Sequence, residues 1–263
     1  MDSKPKEYIV SKKVGDVFLA VYDAFRFVVR FFQELFHRPL EFREIIKQCY
    51  DIGYRSLLLI SLTGFITGIV FTKQSRPSLM EFGATSWLPS LVAIAIVRAL
   101  APLITALISA GKIGSSIGAE LASMKVTEQI DAMEVSAVNP YKFLVVTRVL
   151  ATTITIPILM FYCAFVSLMG SFLNISQNEE TSFVAFFENA FEKISFLDVG
   201  TSLVKAVVYG FTIGIVGCYK GYNSAQGTEG VGKAANAAVV TSMFIIFIEE
   251  IIIVQIANTI RGF

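Results

Sequence analysis

Four ionisable side chains lie inside otherwise apolar stretches of this 263-residue chain: Arg98, Lys205, Glu249 and Glu250. A lone charge at bilayer depth costs at least ~2.5–3.5 kcal/mol on insertion scales, so such residues pair with one another or serve a function. Two cations against two carboxylates balance, and the expectation is a buried network of Arg98 and Lys205 with Glu250 and Glu249. Such a network either fixes the helix arrangement or forms a polar lining that responds to a lipid headgroup or a gating movement. A proton relay has no histidine in support, because the only one, His37, precedes the apolar runs. Cys49, Cys163 and Cys218 are too far apart for metal-ligand spacing and read as small packing residues.

A second chemistry-bearing stretch is 109–140, SAGKIGSSIGAELASMKVTEQIDAMEVSAVNP. Gly111, Gly114 and Gly118, with Ser115 and Ser116, allow a tight bend. It is no phosphate loop, since Gly111-Lys112 lacks the earlier glycine and the Ser or Thr after the lysine. Thr127 is placed to cap a short helix with Glu128 and Gln129 in its first turn, and Asn139-Pro140 to stop it. Ile130, Met133 and Met124 make a small adaptable apolar face, ringed by Glu120, Lys125, Glu128, Asp131 and Glu134. That pattern suits a helix docking into a groove on another protein; the alternative is a solvated loop helix.

These residues need a frame. Hydrophobic residues are 54% of the chain, charged ones 16%, and the mean hydropathy is +0.65; soluble domains rarely reach this. The net charge of +1 gives no pull toward nucleic acid. Five runs are long enough to span a bilayer, at 56–72, 88–110, 143–173, 197–218 and 237–260. The third carries Pro157, a candidate kink. The polar 1–13 stretch is not expected to be a cleaved leader. Sixteen of the twenty-two Lys and Arg residues fall on one side of the spans: ten before the first, then Lys112, Lys125, Lys142, Arg148, Lys220 and Lys233. Lys73, Arg76, Lys193 and Arg261 fall on the other. This bias predicts a cytoplasmic N-terminus, and five crossings put the C-terminus outside. The outer loop 174–196 is acidic (Glu179, Glu180, Glu188, Glu192).

Val14, Val17, Val21, Phe25, Val28, Phe32 and Leu35 recur at three- and four-residue steps, which puts an apolar stripe on a helix over 11–37. The segment is too charged to span; it is expected to lie in the membrane interface or to pack on a soluble partner, and Arg38-Pro39 ends it. Gly64/Gly68 and Gly210/Gly214 are G-x-x-x-G steps, which serve packing within the chain or contact between subunits. The fold class is therefore all-α: a polytopic membrane protein with an N-terminal interfacial helix, five spans and a coupling segment at 114–139.

The stretch from Ala110 to Pro140 closely resembles the signature of the MlaE (YrbE) family of ABC-transporter permeases. So do Arg38-Pro39-Leu40-Glu41-Phe42, Arg98-Ala99-Leu100-Ala101-Pro102, and Gly221-Tyr222 followed by Gly230-Val231-Gly232-Lys233-Ala234. The resemblance implies a single permease domain that forms a homodimer in the cytoplasmic (inner) membrane. It further implies a separate ABC ATPase that binds ATP and Mg, and a periplasmic MCE-domain protein. The complex would move phospholipid between inner and outer membranes, and the permease itself would hold no cofactor and no catalytic residue. Carried over by position, Glu120, Met124, Thr127, Glu128, Gln129 and Met133 would couple to the ATPase. Leu62, Phe65, Ile69 and Phe244 would line a lipid cavity at the dimer axis. The family's usual Glu after the arginine is Ala99 here, and Glu249 is the expected replacement. Two other function classes stay open from the residues alone: an ion-driven transporter using Arg98, Lys205 and Glu250, and a non-transporting anchor for a partner.

Overall fold

The computed structural model describes residues 9–37, 41–179 and 181–262. Arg38, Pro39 and Leu40 of the first family motif, together with Lys4, Lys6 and Glu180, lie outside the described residues, as do the side chains of Lys12, Lys13, Val14, Asp16, Val17 and Glu179. Among the described residues the chain is helical, with no strand. Five stretches are long and apolar enough to cross a membrane: Phe42–Glu81, Thr85–Val126, Tyr141–Gln177, Phe196–Tyr222 and Thr228–Arg261.

The helices run α1 (Ile9–Phe36), α2 (Phe42–Glu81), α3 (Leu88–Ala95), α4 (Ala101–Ser109), α5 (Ser115–Val126), α6 (Gln129–Val135), α7 (Thr147–Glu179), α8 (Phe183–Glu192), α9 (Phe196–Tyr222) and α10 (Thr228–Arg261). Two π-helical segments, Ile96–Leu100 and Ala110–Gly114, join α3, α4 and α5 into one long rod. A third, Tyr141–Val146, leads into α7. The helix α7 is the spine, packed between α2 and α9, while α9 also carries α5 and α10.

Small residues let these backbones meet. A Cβ on Gly68 would overlap the Ser167 carbonyl of α7, and one on Gly170 would overlap the Phe65 carbonyl of α2. Gly210 and Gly214 meet Thr152 and Val149 of α7 in the same way. Both G-x-x-x-G steps therefore pack within the chain. Cys163, beside Gly64, and Cys218 are buried free thiols.

The glycine-rich stretch after α4 does not bend as its composition suggests. The helix continues to Val126, because its small residues are used sideways. A Cβ on Gly118 would stand 3.1 Å from Ala238 of α10, and one on Gly221 of α9 would stand 2.8 Å from the Gly118 carbonyl. The helix α6 also starts later than its cap signal predicts. Thr127 ends α5, with its hydroxyl donating to the Ser123 carbonyl at 2.8 Å. Glu128 makes the turn in the left-handed region (φ 56°).

The apolar stripe of α1 divides. Phe27 and Phe31 carry the contact with the bundle, with Val28 and Leu35 beside them. Phe27 packs edge-on against Tyr141 at 4.9 Å, and the Tyr141 hydroxyl donates to the Phe27 carbonyl at 2.5 Å. Phe32 is half-exposed and stacks on Phe211 of α9 at 5.9 Å, while Val21 and Phe25 stay exposed with Phe18, Leu19 and Tyr22. The outer loop folds as well. Its helix α8 is capped by the Ser182 side chain and buries Phe186 and Ala190.

The close approach at Gly68 gives a direct test. Gly68→Ala should destabilise the protein by about 1–3 kcal/mol, read as a lower melting temperature in detergent. Gly200→Ala, at a helical site open to space, should leave the protein as stable or stabilise it by up to about 1 kcal/mol.

Candidate functional site

The intramembrane charges are organised by a break in helical register. In the π-helical segment the Ala101 amide donates back to Ile96, five residues away. Pro102 follows and has no amide to give. The Val97 and Arg98 carbonyls are thereby left for other donors, and α9 supplies them. The Ser202 hydroxyl donates to the Val97 carbonyl at 2.7 Å, and Lys205 Nζ donates to the Arg98 carbonyl at 3.1 Å.

Lys205 is buried and also donates to Glu250 Oε1 of α10 at 2.6 Å. The other oxygen of Glu250 accepts from the Tyr209 hydroxyl. Both partners of the ion pair therefore have further hydrogen bonds, which is what a buried pair needs to offset its desolvation.

Arg98 does not join Glu250. Its guanidinium forks onto Asp198, with Nε 2.7 Å from Oδ1 and Nη2 2.9 Å from Oδ2. Arg261, at the end of α10, donates to the same carboxylate. Asp198 is 1% exposed, and Oδ2 also accepts the Ser195 amide at 3.0 Å in a capping box. The expected single network is thus two clusters, joined by the bond from Lys205 to the Arg98 carbonyl. Glu249 has no cation partner among the described residues; its Oε1 accepts from Thr212 at 2.5 Å. The carboxylate that pairs with Arg98 is Asp198, not Glu249. Sequence reading passed over Asp198 and Arg261 because each stands at the end of an apolar run. The usable signal was the Ser195-x-x-Asp198 capping spacing.

At the opposite end of the bundle, α6 turns its apolar face inward. Ile130 is buried, and Met124 and Met133 pack against the same core as Leu121, Tyr141 and Ile213. A seven-residue helix has little stability of its own and holds by that packing. The expected apolar docking face is therefore spent within the chain. What α6 offers outward is a polar, acidic ridge: Thr127, Glu128, Gln129, Asp131 and Glu134, with Val135 89% exposed. Glu120 stands apart from this ridge, paired with buried Arg148 at 2.8 Å.

The four candidate lining residues separate. Leu62 and Phe244 are exposed on α2 and α10, which share no packed interface. Phe65 and Ile69 lie on the edge of α2 that meets Gly170.

Removing one partner of a buried pair costs about 3 kcal/mol or more, so Asp198→Asn should sharply lower thermal stability. Lys205→Glu and Glu250→Lys should each do the same. Together they should recover part of the loss but not all, because glutamate at 205 cannot donate to the Arg98 carbonyl. A double variant no better than the singles in a melting assay would rule out the direct pair.

The comparisons with known proteins agree on one family. The model of the family "Permease MlaE" matches residues 45–256. A probable ABC transporter permease protein of Rickettsia typhi is 38% identical over 218 residues, 83% of this chain and 84% of that protein. One from Rickettsia prowazekii is 35% identical over 238 residues, 90% of this chain and 91% of its own length. One from Synechocystis is 35% identical over 209 residues, 79% of each chain. With five membrane-crossing helices, a paired intramembrane charge cluster and this match across the whole bundle, the chain belongs to the MlaE permease family of ABC transporters.

Proposed function

We propose that this chain is the permease subunit of a transporter that moves phospholipid between the inner and outer membranes, driven by a separate ATPase. It acts as a homodimer in the inner membrane, beneath a periplasmic MCE-domain protein, and helps maintain the lipid asymmetry of the outer membrane. The N-terminus and α6 face the cytoplasm; the C-terminus and α8 face the periplasm. The ATPase partner holds ATP and Mg, and this chain supplies no catalytic residue.

The exposed ridge of α6 carries this reading. It stands at the end of the bundle where the bias in Lys and Arg points to the cytoplasm, and a partner there meets Glu128 and Gln129 directly. Support for a lipid cargo comes from long apolar faces left uncovered on the spans, among them those of α2 and α10. On α2 these are Leu58, Leu62, Ile66 and Val70; on α10 they are Phe244, Phe247, Ile251 and Ile252. Two copies facing each other across such surfaces would enclose an acyl-chain cavity, with Leu62 and Phe244 turned into it.

In the assembled complex, Glu128→Lys with Gln129→Ala should lower ATP-driven transfer of fluorescent phospholipid between vesicles about tenfold, with the subunits still copurifying. Full transfer by this variant would remove α6 from the coupling role. Hydrolysis of ATP by the purified chain alone, or lipid extracts of the complex free of phospholipid, would overturn the proposal itself.

A further inference from the structure

A cavity of about 350 Å³ opens between the N-terminal part of α2 and the second π-helical segment with α5, at the end of the bundle that bears α6. Three cations line it: Lys47 and Arg55 of α2 and Lys112 of the second π-helical segment. Two carboxylates, Asp51 and Glu120, share the lining. Glu120 is already taken by Arg148 at 2.8 Å. Asp51 stands 3.8 Å from Arg55, and Glu44 stands 3.7 Å from Lys47, both at the long limit of an ion pair and on largely exposed cations. Lys112 has no carboxylate partner among the described residues. The cavity thus carries a surplus of positive charge.

Its inner wall also holds an unpartnered donor. Ser56 is 1% exposed, lines the cavity, and its Oγ has no hydrogen-bond partner among the described residues. A buried hydroxyl left unpaired costs about 1–3 kcal/mol. An oxygen-bearing anion drawn in by Lys47, Arg55 and Lys112 would accept that hydrogen bond.

The depth of the cavity says which anion. The apolar run of α2 begins at Ser56, directly after Arg55, and the apolar run of the second span ends two residues before Lys112. Both runs stop at this cavity, so it lies where hydrocarbon gives way to headgroups. Tyr50 and Tyr54, exposed and stacked at 5.5 Å on the outer side of α2, mark the same level, as aromatic residues do at membrane interfaces. The inner wall is apolar, formed by Ile52, Ile113 and Ile117.

We infer that this cavity holds the phosphate of an anionic phospholipid headgroup, clamped by Arg55 and Lys112 and hydrogen-bonded by Ser56. The inference rests on the five helices crossing a membrane and not on the cargo proposed above. Loss of lipid transfer in the assembled transporter with this binding intact would count against the cargo alone.

The test uses the full chain in detergent, titrated with short-chain phosphatidylglycerol and followed by native mass spectrometry. Each cation near a membrane surface contributes about fivefold to anionic-lipid affinity. Arg55→Gln with Lys112→Gln should therefore weaken binding about 25-fold. Ser56→Ala, which keeps every charge, should weaken it about threefold to tenfold, and reads the same cavity if the double variant loses its fold. Lys233→Gln, which removes a cation paired on the surface of α10, should change nothing. The inference is overturned if these variants bind like the original chain or if Lys233→Gln matches the double variant. It is equally overturned if phosphatidylcholine is held as tightly, or if glycerol phosphate displaces the lipid at equal concentration, which would make the site one for a soluble phosphate.

Discussion

Lys205 is the point on which the arrangement of this bundle depends. A buried ammonium must find oxygen partners inside the protein, and this one has two, on two different helices. Glu250 fixes the face that α10 turns toward α9. The Arg98 carbonyl fixes the register of the second span, and it is left open because Pro102, four residues on, has no amide to give. A register break that would be a defect in an isolated helix becomes the socket for a charge on its neighbour. The Ser202 hydroxyl on the adjacent carbonyl keeps the same two helices from slipping along one another.

Around that joint the chain uses its small residues to bring backbones together rather than to let them bend. The spine α7 meets α2 through Gly68 and Gly170 and meets α9 through Gly210 and Gly214. Packing of this kind gains from van der Waals contact and close polar approach, since lipid provides no hydrophobic drive between spans. It leaves α2 and α10 with one side packed and one side bare. The bare sides are the surfaces on which the proposed dimer and its lipid cavity depend.

Much of this was legible in the residues. The five runs, the amphipathic α1 and the four charges within the runs follow from hydropathy and from the cost of burying charge, and those terms do not depend on which helices become neighbours. The pairing did depend on it. Arg98 has two candidate carboxylates on span five and takes neither, because α9 brings Asp198, at the edge of the fourth run, against its guanidinium. The stretch at 111–118 misled for a related reason. Glycine and serine in sequence signal freedom to bend, but in a packed bundle the same absence of side chain is read by a neighbour, here Ala238 and Gly221. The inward turn of Ile130 and Met133 was likewise undecidable from periodicity, which gives a face but not what covers it.

The inward turn of α6 bears on how a partner's movement could reach the spans. A helix that offered its apolar face to the partner would be held mainly by the partner, and its displacement would be absorbed in the loops on either side. Here Ile130 is set in the core with Leu121 of α5, Ile213 of α9 and Tyr141 at the start of α7, so α6 has no slack against the bundle. Interiors packed at this density shift as bodies rather than deform smoothly. A force on the acidic ridge is therefore applied to α5, which in turn packs along α9. The helix α9 runs from Tyr222 beside that core to Asp198 and Lys205 near its other end, with no proline between them. Any rotation of α9 must carry Lys205 with it, and the bonds to Glu250 and to the Arg98 carbonyl are the contacts such a rotation would strain first. Under the proposed function, the charge cluster is thus less a binding site than the joint that decides how α10 and the second span follow α9.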